Sequence, residues 1–324
     1  MIQPLVSLIR AESYERQSLR NAVEMLLLPL GGITAFVKPG DRVLLKPNLL
    51  TGSRPGKECT TRPELIYTVA QLVLEAGGKP FLGDSPAFGS AKGVATANGY
   101  LPVIEELNLP IVDFHGLRYQ TLSEEFNHLL LSKEVMEADV VINLPKVKSH
   151  MQLTLTLGAK NLFGCVPGKM KAWWHMEAGK DRNRFGQMLV ETARAINPNL
   201  TILDGIMAHQ GNGPSGGEPR YLGILGASSD VFSLDRAMVE ILNVAPDRVP
   251  TVAASMRLGL CSNLEAIDFP QLRPQELKVL DWKLPDTIMP IDFGMPRVIK
   301  STFKHLYIRF IKEPMNAYAE VQKI

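Results

Sequence analysis

Short apolar runs along the chain end repeatedly in polar residues. The runs lie at residues 42–45, 81–82, 111–115, 138–146 and 200–206. Most of them are continuous and rich in β-branched residues, whereas a strand with one face in water would alternate apolar and polar positions. The pattern therefore predicts short strands that are covered on both faces.

Helical patterns alternate with these runs. Residues 65–74 carry apolar positions at helical spacing, with Pro63 near the start and Gly77 and Gly78 as a stop signal, and residues 184–196 form a second helical stretch. Alternation of strands and helices predicts an α/β fold with a mostly parallel sheet flanked by helices, arranged as one large domain or two lobes. Ligands of such sheets bind outside the carboxyl ends of the strands, so we expect a cleft there.

Composition narrows the class of protein. The 324 residues are 45% hydrophobic and 21% charged, and the formal net charge is +2. This profile is typical of a globular protein and does not favour a bulk nucleic-acid binder. The N-terminus has neither the charged region nor the long apolar region of a signal peptide, and no apolar stretch approaches the length of a membrane span. We therefore expect a cytoplasmic protein.

The three cysteines are far apart and odd in number. Cys59, Cys165 and Cys261 offer neither a disulfide framework nor a CxxC metal signature. The cysteine pattern suits a reducing compartment, and no metal-ligating residue is predicted.

The stretch NLPKVKSHMQLTLTLGAKNLFG, residues 143–164, concentrates positive and hydrogen-bonding groups directly after an apolar run. The groups are Lys146, Lys148, His150, Lys160 and Asn161. In an extended chain the first three share a face, because side chains alternate with a period of two. Several cations at a strand end suit a carboxylate or a phosphate, although lysines after a strand are also commonly just solvated. We favour a binding site and assign the first three residues catalytic roles.

A second strand end carries LLKPNLL, which places Lys46 and Asn48 where a ligand would bind. The following CTTRPEL predicts that Thr60 or Thr61 caps the helix that begins near Pro63.

Two carboxylates also follow apolar runs. Asp84, in the turn GDSP, is a candidate general base, although turn formation explains the same residues equally well. Asp204 precedes a glycine-rich stretch in which Gly211 and Gly213 are candidates for an anion-binding backbone nest or a mobile lid. A flexible surface loop is the alternative. The stretch matches no nucleotide-binding motif.

The C-terminal residues 296–324 are predicted to form a basic amphipathic helix and tail, separate from an α/β domain over residues 1–295. The apolar positions Ile299, Phe303, Leu306 and Phe310 recur at helical spacing among lysines and arginines. Such a helix packs on its own domain, docks a partner or lies on an anionic membrane. We favour packing on the domain.

The motifs LLKPNLL, GDSP, ADVVINLPKVKSH, TLGAKNLFG and DGI…GNGP resemble the domain-of-unknown-function family numbered 362, from about residue 5 to residue 260. Many members of that family append a ferredoxin-like module with CxxCxxCxxxC cysteines and are described as iron–sulfur proteins. No cysteine follows Cys261 in this chain, so no iron–sulfur cluster is expected in this chain alone.

The order of motifs is also similar to that of the lactate racemase apoprotein family. The corresponding pieces here are TRP at 61–63, EADVVINLPKVKSH at 137–150 and GAKNLFGCVPG at 158–168. That family uses a nickel–pincer nucleotide in hydride chemistry at a 2-hydroxy acid. What the resemblance implies for this chain is an enzyme fold.

These observations predict an enzyme that binds a small carboxylate or phosphate in a cleft rich in lysine and histidine. Lys146, Lys148 and His150 would hold or protonate the substrate, and Asp84 or Asp204 would supply a carboxylate. The sequence assigns no cofactor. The alternative, from family context, is a redox-associated binding protein that acts with a separate ferredoxin-like partner.

Overall fold

The structure, a computed structural model, describes residues 3–53, 56–120, 125–126, 129–168, 170–178, 181–261, 263–291, 303–304 and 306–315. Its strands are β1 (Ser7–Arg10), β2 (Arg42–Pro47), β3 (Lys79–Asp84), β4 (Ile111–Asp113), β5 (Leu117–Gln120), β6 (Leu129–Ser132), β7 (Val140–Leu144), β8 (Lys146–His150), β9 (Thr154–Thr156), β10 (Leu200–Gln210) and β11 (Glu218–Ser228).

The helices alternate with these strands over much of the chain. They are α1 (Arg16–Leu27), α2 (Pro63–Glu75), α3 (Ala91–Ala97), α4 (Leu101–Glu106), α5 (Lys133–Met136), α6 (Gly158–Asn161), α7 (Met170–Glu177), α8 (Arg182–Ile196), α9 (Val231–Ile241) and α10 (Pro250–Arg257). Short 3₁₀ turns lie at Leu28–Leu30, Ile33–Ala35, Leu162–Cys165, Pro246–Arg248, Leu264–Ala266 and Pro274–Leu277, and a π-helical turn lies at Ile308–Lys312.

Nine of the strands form one mixed sheet. Its order is β1-β11-β10-β7-β2-β3-β4, with β8 paired to β10 and β9 paired to β8. The central pairs β10–β7, β7–β2, β2–β3 and β3–β4 are parallel, and so is β10–β8. Antiparallel pairs join β1, β10 and β11 at one side and β8 to β9. The predicted α/β fold with a mostly parallel sheet is confirmed.

Both faces of the central strands are buried, as the continuous apolar runs predict. Val43 and Leu45 of β2 pack in a core that includes Leu65 of α2. Leu44, which points to the opposite face, packs in a second core that includes Phe185 of α8. Neighbouring side chains of one strand thus serve two cores, which is why the strand pattern does not alternate.

The start of α2 differs from the prediction. The position before the helix is Arg62, which provides no side-chain cap, and Pro63 is the first helical residue. The Thr61 hydroxyl instead donates to the Leu144 carbonyl oxygen at 2.7 Å and accepts from the Asn48 N–H at 2.8 Å. Thr61 therefore ties the ends of β2 and β7 together, and the predicted capping role is wrong for this residue.

The C-terminal segment, defined here as residues 303–304 and 306–315, also differs from the prediction. Phe303 and Phe310 are 69% and 67% exposed, so the expected burial of the segment's phenylalanines on the domain is wrong for these two side chains. The segment contacts the domain through polar groups, among them the Glu313 carboxylate, which accepts from Ser90. Ile299 and the predicted boundary at residue 295 lie outside the described residues.

Candidate functional site

The carboxyl ends of the parallel strands bring several of the predicted residues together. Lys46 near the end of β2 pairs with Asp84 at the end of β3, with 2.9 Å between Nζ and Oδ1. The ammonium also donates to the Pro47 carbonyl oxygen at 2.7 Å, and the other carboxylate oxygen accepts from the Leu49 N–H at 2.9 Å. A Cβ at Gly164 would lie 2.3 Å from Asp84 Oδ1 and 2.5 Å from Lys46 Nζ. Glycine therefore lets the chain pass directly over this buried ion pair.

Lys146 forms a second network with Asp204. Its Nζ lies 3.0 Å from Asp204 Oδ2, 3.1 Å from the Tyr14 hydroxyl and 3.5 Å from Glu58 Oε2. Asp204 also accepts from the Tyr14 hydroxyl and from the Arg62 N–H. Lys146 and Asp204 are fully buried. Because two carboxylates surround this one ammonium group, its charge is matched within the protein.

Lys148 connects to a chain of amides. Its Nζ donates to Asn48 Oδ1 at 2.7 Å and to the Cys59 carbonyl oxygen at 2.6 Å. The Asn48 amide donates to Asn161 Oδ1 at 2.8 Å, and the Asn161 amide donates to Asn143 Oδ1, also at 2.8 Å. The contacts of Lys148 are thus to neutral oxygens, and its charge has no direct carboxylate partner among them.

Two further lysines face the same region. Lys160 of α6 is half-buried, and its Nζ lies 4.9 Å from the ring centroid of Phe163. Lys171 of α7 donates to the carbonyl oxygen of Ser85, the residue that follows Asp84. Lys171 was not among the predicted site residues, because it lies in a helix far along the chain from the strand ends.

The pKa values of these lysines are lowered. Burial is the largest cause for each, and it brings the pKa of Lys148 to about 7, that of Lys160 to about 7 and that of Lys171 to about 8. Positive neighbours add to the effect: Lys160 feels Lys171, Lys148 and Lys46. Asp84 opposes the shift in all three cases. Lysines with such pKa values exchange protons near neutral pH.

The two histidines near the lysines have lowered pKa values for the same reason. Burial, followed by the charge of Lys160, holds the pKa of His150 well below its usual range. His150 is half-buried at the end of β8, and its Nδ1 accepts from the Gln152 N–H. Burial also lowers the pKa of His209, whose Nδ1 lies 2.9 Å from the Lys57 carbonyl oxygen and therefore carries the proton of a neutral ring.

The predicted glycines lie in the turn between β10 and β11. The Gly211 N–H donates to the Lys283 carbonyl oxygen, and the Gly213 N–H donates to the Gly211 carbonyl oxygen, each at 2.8 Å. A Cβ at Gly213 would lie 1.9 Å from the Ser149 carbonyl oxygen. Both N–H groups are therefore bonded to carbonyl oxygens of the protein itself and are not directed at the lysines. Gly213 allows the turn to pack closely on β8.

A buried carboxylate that the sequence analysis missed holds α6 in place. Asp235 of α9 accepts from the N–H groups of Gly158 and Ala159 at 2.7 and 2.9 Å. Burial raises the pKa of Asp235 to about 7. Because α6 has only four residues, this pair of bonds fixes the backbone that presents Lys160.

The structure thus brings one group of residues together and places the others around it. Gathered at the carboxyl edge of the sheet are Lys46, Asn48, Asp84, Lys148, Lys160, Asn161 and Lys171, which we call the lysine cluster. Lys146 and Asp204 form a separate network beside it. His150 lies beside Lys160, and Gly211 and Gly213 lie in the turn between β10 and β11. Tyr14 and Glu58 gave no signal in the sequence, since they come from loops distant along the chain.

In the described part of the chain, no three His, Cys, Asp or Glu side chains are grouped so that they could hold a metal ion. Within the same residues, no helix has the length and apolar character needed to cross a bilayer.

A curated relative is 67% identical to this chain over 313 residues, which cover 97% of this chain and 98% of the relative. It is the thylakoid-associated protein sll1697 of Synechocystis sp.. Among solved structures, the lactate racemase apoprotein from Thermoanaerobacterium thermosaccharolyticum is similar, with a TM-score of 0.48 and 14% identity. The match covers 71% of this chain and 55% of that chain, so this chain spans about half the length of the racemase structure.

The family resemblance noted from the sequence motifs is confirmed by a family model. The model described as Domain of unknown function (DUF362) matches residues 43–240, a span that contains both the Lys46–Asp84 pair and the Lys146–Asp204 network. This span is more than half of the chain, and the protein belongs to the DUF362 family.

Proposed function

We propose that the protein is an enzyme that binds a small anionic substrate, a carboxylate or a phosphate, at the lysine cluster. The observation that carries this proposal is a charge imbalance. Lys46, Lys148, Lys160 and Lys171 all interact with Asp84, which among the described residues has a direct ion pair only with Lys46. A bound anion would match the remaining positive charge and favour the protonated lysines.

Lys160 is the best candidate for proton transfer. Its pKa of about 7 lets it act as an acid or a base near neutral pH. Unlike the buried Lys148, whose Nζ is held by Asn48 and the Cys59 carbonyl oxygen, Lys160 is half-buried with its ammonium beside an aromatic ring. A substrate anion held between these two lysines would meet one amine anchored by hydrogen bonds and one half-buried proton carrier.

Binding is tested by the thermal unfolding of the ligand-free protein in phosphate, in a dicarboxylate and in sodium chloride at matched ionic strength. We expect the phosphate or the dicarboxylate to raise the midpoint well beyond sodium chloride, because a ligand that binds only the folded state stabilises it by mass action. The rise should be larger at pH 6.5 than at pH 9, since the lysines are protonated at the lower pH. Equal responses to all three salts at both pH values would contradict the proposal. Native mass spectrometry of the purified protein would identify a retained anion directly.

We also propose that the protein associates peripherally with thylakoid membranes. The name of the cyanobacterial relative, which is 67% identical to this chain, supports this proposal. The exposed apolar side chains of the C-terminal segment support it as well. Fractionation of cells that make this protein tests it: we expect the protein in the thylakoid fraction and its release by high salt or carbonate, as for a peripheral protein. Recovery of all the protein in the soluble fraction would contradict it.

A further inference from the structure

Exposed large hydrophobic side chains are concentrated in the C-terminal segment. Among the described residues fifteen such side chains are exposed, and six of them fall within thirteen positions. These six are Phe303, Leu306, Tyr307, Phe310, Ile311 and Met315. The others are scattered singly or in pairs over the rest of the chain, which is normal for a protein surface. A concentrated apolar surface of this kind marks an interaction site.

The segment is held on the domain by its polar side chains. The Glu313 carboxylate accepts from the Ser90 N–H at 2.9 Å and from the Ser90 hydroxyl at 2.8 Å. A Cβ at Gly93 would lie 2.3 Å from Glu313 Oε1, so the domain has room for this carboxylate only because glycine stands there. Arg309 pairs with Asp113 at 3.2 Å. These contacts fix the polar side of the segment on the domain and leave the phenylalanines in solvent.

The charges around the apolar surface indicate what covers it. Lys304, Arg309 and Lys312 are basic, and Glu313 is the one acidic residue of the segment and is occupied by Ser90. Lys304 lies over the Phe88 ring and Arg309 pairs with Asp113, whereas Lys312 is exposed. Aromatic and aliphatic side chains flanked by basic residues suit the interface of an anionic bilayer, where the rings enter the headgroup region and the cations meet lipid phosphates. A second copy of this chain would bring the same positive charges together, which is unfavourable.

We propose that the C-terminal segment is the surface by which this protein docks on an anionic lipid bilayer. The proposal rests on the membrane association proposed above and adds the residues and the lipid class. Phe303 and Phe310 enter the bilayer interface, and the exposed Lys312 contacts anionic headgroups. Ser90 and Asp113, which hold the segment, follow β3 and end β4, so the segment is held at the carboxyl edge of the sheet that also carries the lysine cluster.

The test is co-sedimentation of the full chain with vesicles. One set contains phosphatidylcholine alone and the other contains phosphatidylcholine mixed with phosphatidylglycerol. The protein should bind the mixed vesicles, and added salt should weaken the binding. The double variant Phe303→Ser/Phe310→Ser should bind roughly tenfold more weakly or worse, because apolar burial and charge act together at such interfaces. Its thermal midpoint should not change, since both side chains are exposed in the folded protein.

The matched control is Leu28→Ser/Leu280→Ser, which removes two side chains that are 73% and 77% exposed elsewhere on the surface. This control should bind like the unchanged protein. If the unchanged protein binds neither vesicle, the proposed membrane association fails and this inference fails with it. If it binds and the phenylalanine variant binds equally well, the segment is not the docking surface although membrane association stands. If light scattering shows a dimer that the phenylalanine variant loses, without vesicle binding, a second copy covers the surface and the inference is overturned.

Discussion

Replacing Lys160 by methionine should stabilise the protein and abolish its response to anions. Methionine keeps most of the stem of the lysine and removes the charge. The Lys160 ammonium faces the Phe163 ring and is surrounded by the positive charges of Lys171, Lys148 and Lys46. Lys148 is a less suitable target, because its replacement would leave two buried oxygen acceptors without their donor.

The size of the stabilisation follows from the pKa. The fall in the pKa of Lys160 from 10.5 to about 7 corresponds to a penalty on its charged form of roughly 5 kcal/mol at most, because one pKa unit is about 1.4 kcal/mol. Lys160 is half-buried, so solvent screens part of this penalty, and the loss of the cation–π contact with Phe163 offsets about 1 kcal/mol more. We therefore expect the variant to gain about 1–3 kcal/mol in free energy of unfolding at pH 7.

The gain should depend on pH with a defined sign. The folded-state pKa lies below the unfolded-state pKa, so the penalty of the charged Lys160 is complete below pH 7 and disappears as the pH rises toward the unfolded value of 10.5. The free energy of unfolding of the variant should therefore exceed that of the unchanged protein by more at pH 7 than near pH 10.

Urea unfolding at both pH values measures this difference, and thermal unfolding in phosphate measures the anion response. The matched control is Lys38→Met, which removes an exposed lysine at the opposite end of β2 and should change the stability by no more than about 0.5 kcal/mol. A Lys160→Met protein that is less stable at pH 7, or that keeps the full phosphate response, would refute this account of Lys160.

Three further predictions concern the buried charges. Asp204→Asn should lower the free energy of unfolding by about 3–5 kcal/mol in urea titrations, because it leaves the buried Lys146 ammonium without its principal carboxylate. An effect below about 1 kcal/mol would show that Asp204 does not balance the charge of Lys146. Gly164→Ala should lower the free energy of unfolding by about 1–3 kcal/mol, since a Cβ atom would collide with the ion pair of Lys46 and Asp84. It should also weaken the stabilisation by phosphate, and an unchanged stabilisation would show that this ion pair does not support the anion site. For the unchanged protein without ligand, the free energy of unfolding should rise from pH 7 to pH 9, because the unfolded state binds more protons at the three lysines with pKa values of about 7 to 8. Phosphate should flatten this dependence on pH, and an unaltered dependence in phosphate would contradict the proposed anion site.

Much of the fold could be predicted from local patterns. The run at 42–45 predicts β2 because Val43, Leu44 and Leu45 must be apolar for two separate cores. The helical spacing at 65–74 predicts α2, which the structure places at Pro63–Glu75. Strand order and the antiparallel strands of the sheet could not be predicted, because they depend on pairings between distant segments, such as β1 with β11.

The lysines of the site could be predicted, but their environment could not. Lys46 and Lys146 follow or end apolar runs, and strand ends of a parallel sheet meet at one edge. Their partners come from anywhere in the chain: Tyr14 and Asp204 are 190 positions apart, and no local pattern connects them. The Thr61 hydroxyl illustrates the same limit, since local capping rules compete with a bond to Leu144 that exists only in the folded sheet.

In the C-terminal segment, helical periodicity of the apolar residues does not determine which surface they contact. Apolar residues at helical spacing define a face, but the same face serves packing on the domain or contact with another surface. Here the polar residues Arg309 and Glu313 meet the domain and the apolar face is left outward. The alternative function, a redox-associated protein with a separate iron–sulfur partner, stays a prediction.

The network of Lys146 and the lysine cluster differ in charge balance. Lys146 lies between Asp204 and Glu58, so carboxylates of the protein already match its charge. The lysine cluster, as defined above, instead combines four lysines with one carboxylate, Asp84, an arrangement that lowers the stability of the empty protein. Strongly perturbed pKa values cluster at functional sites, although structural ion-pair networks perturb pKa values as well. A ligand with two negative charges matches the surplus better than a monoanion, so phosphate and dicarboxylates should stabilise the protein more than acetate does.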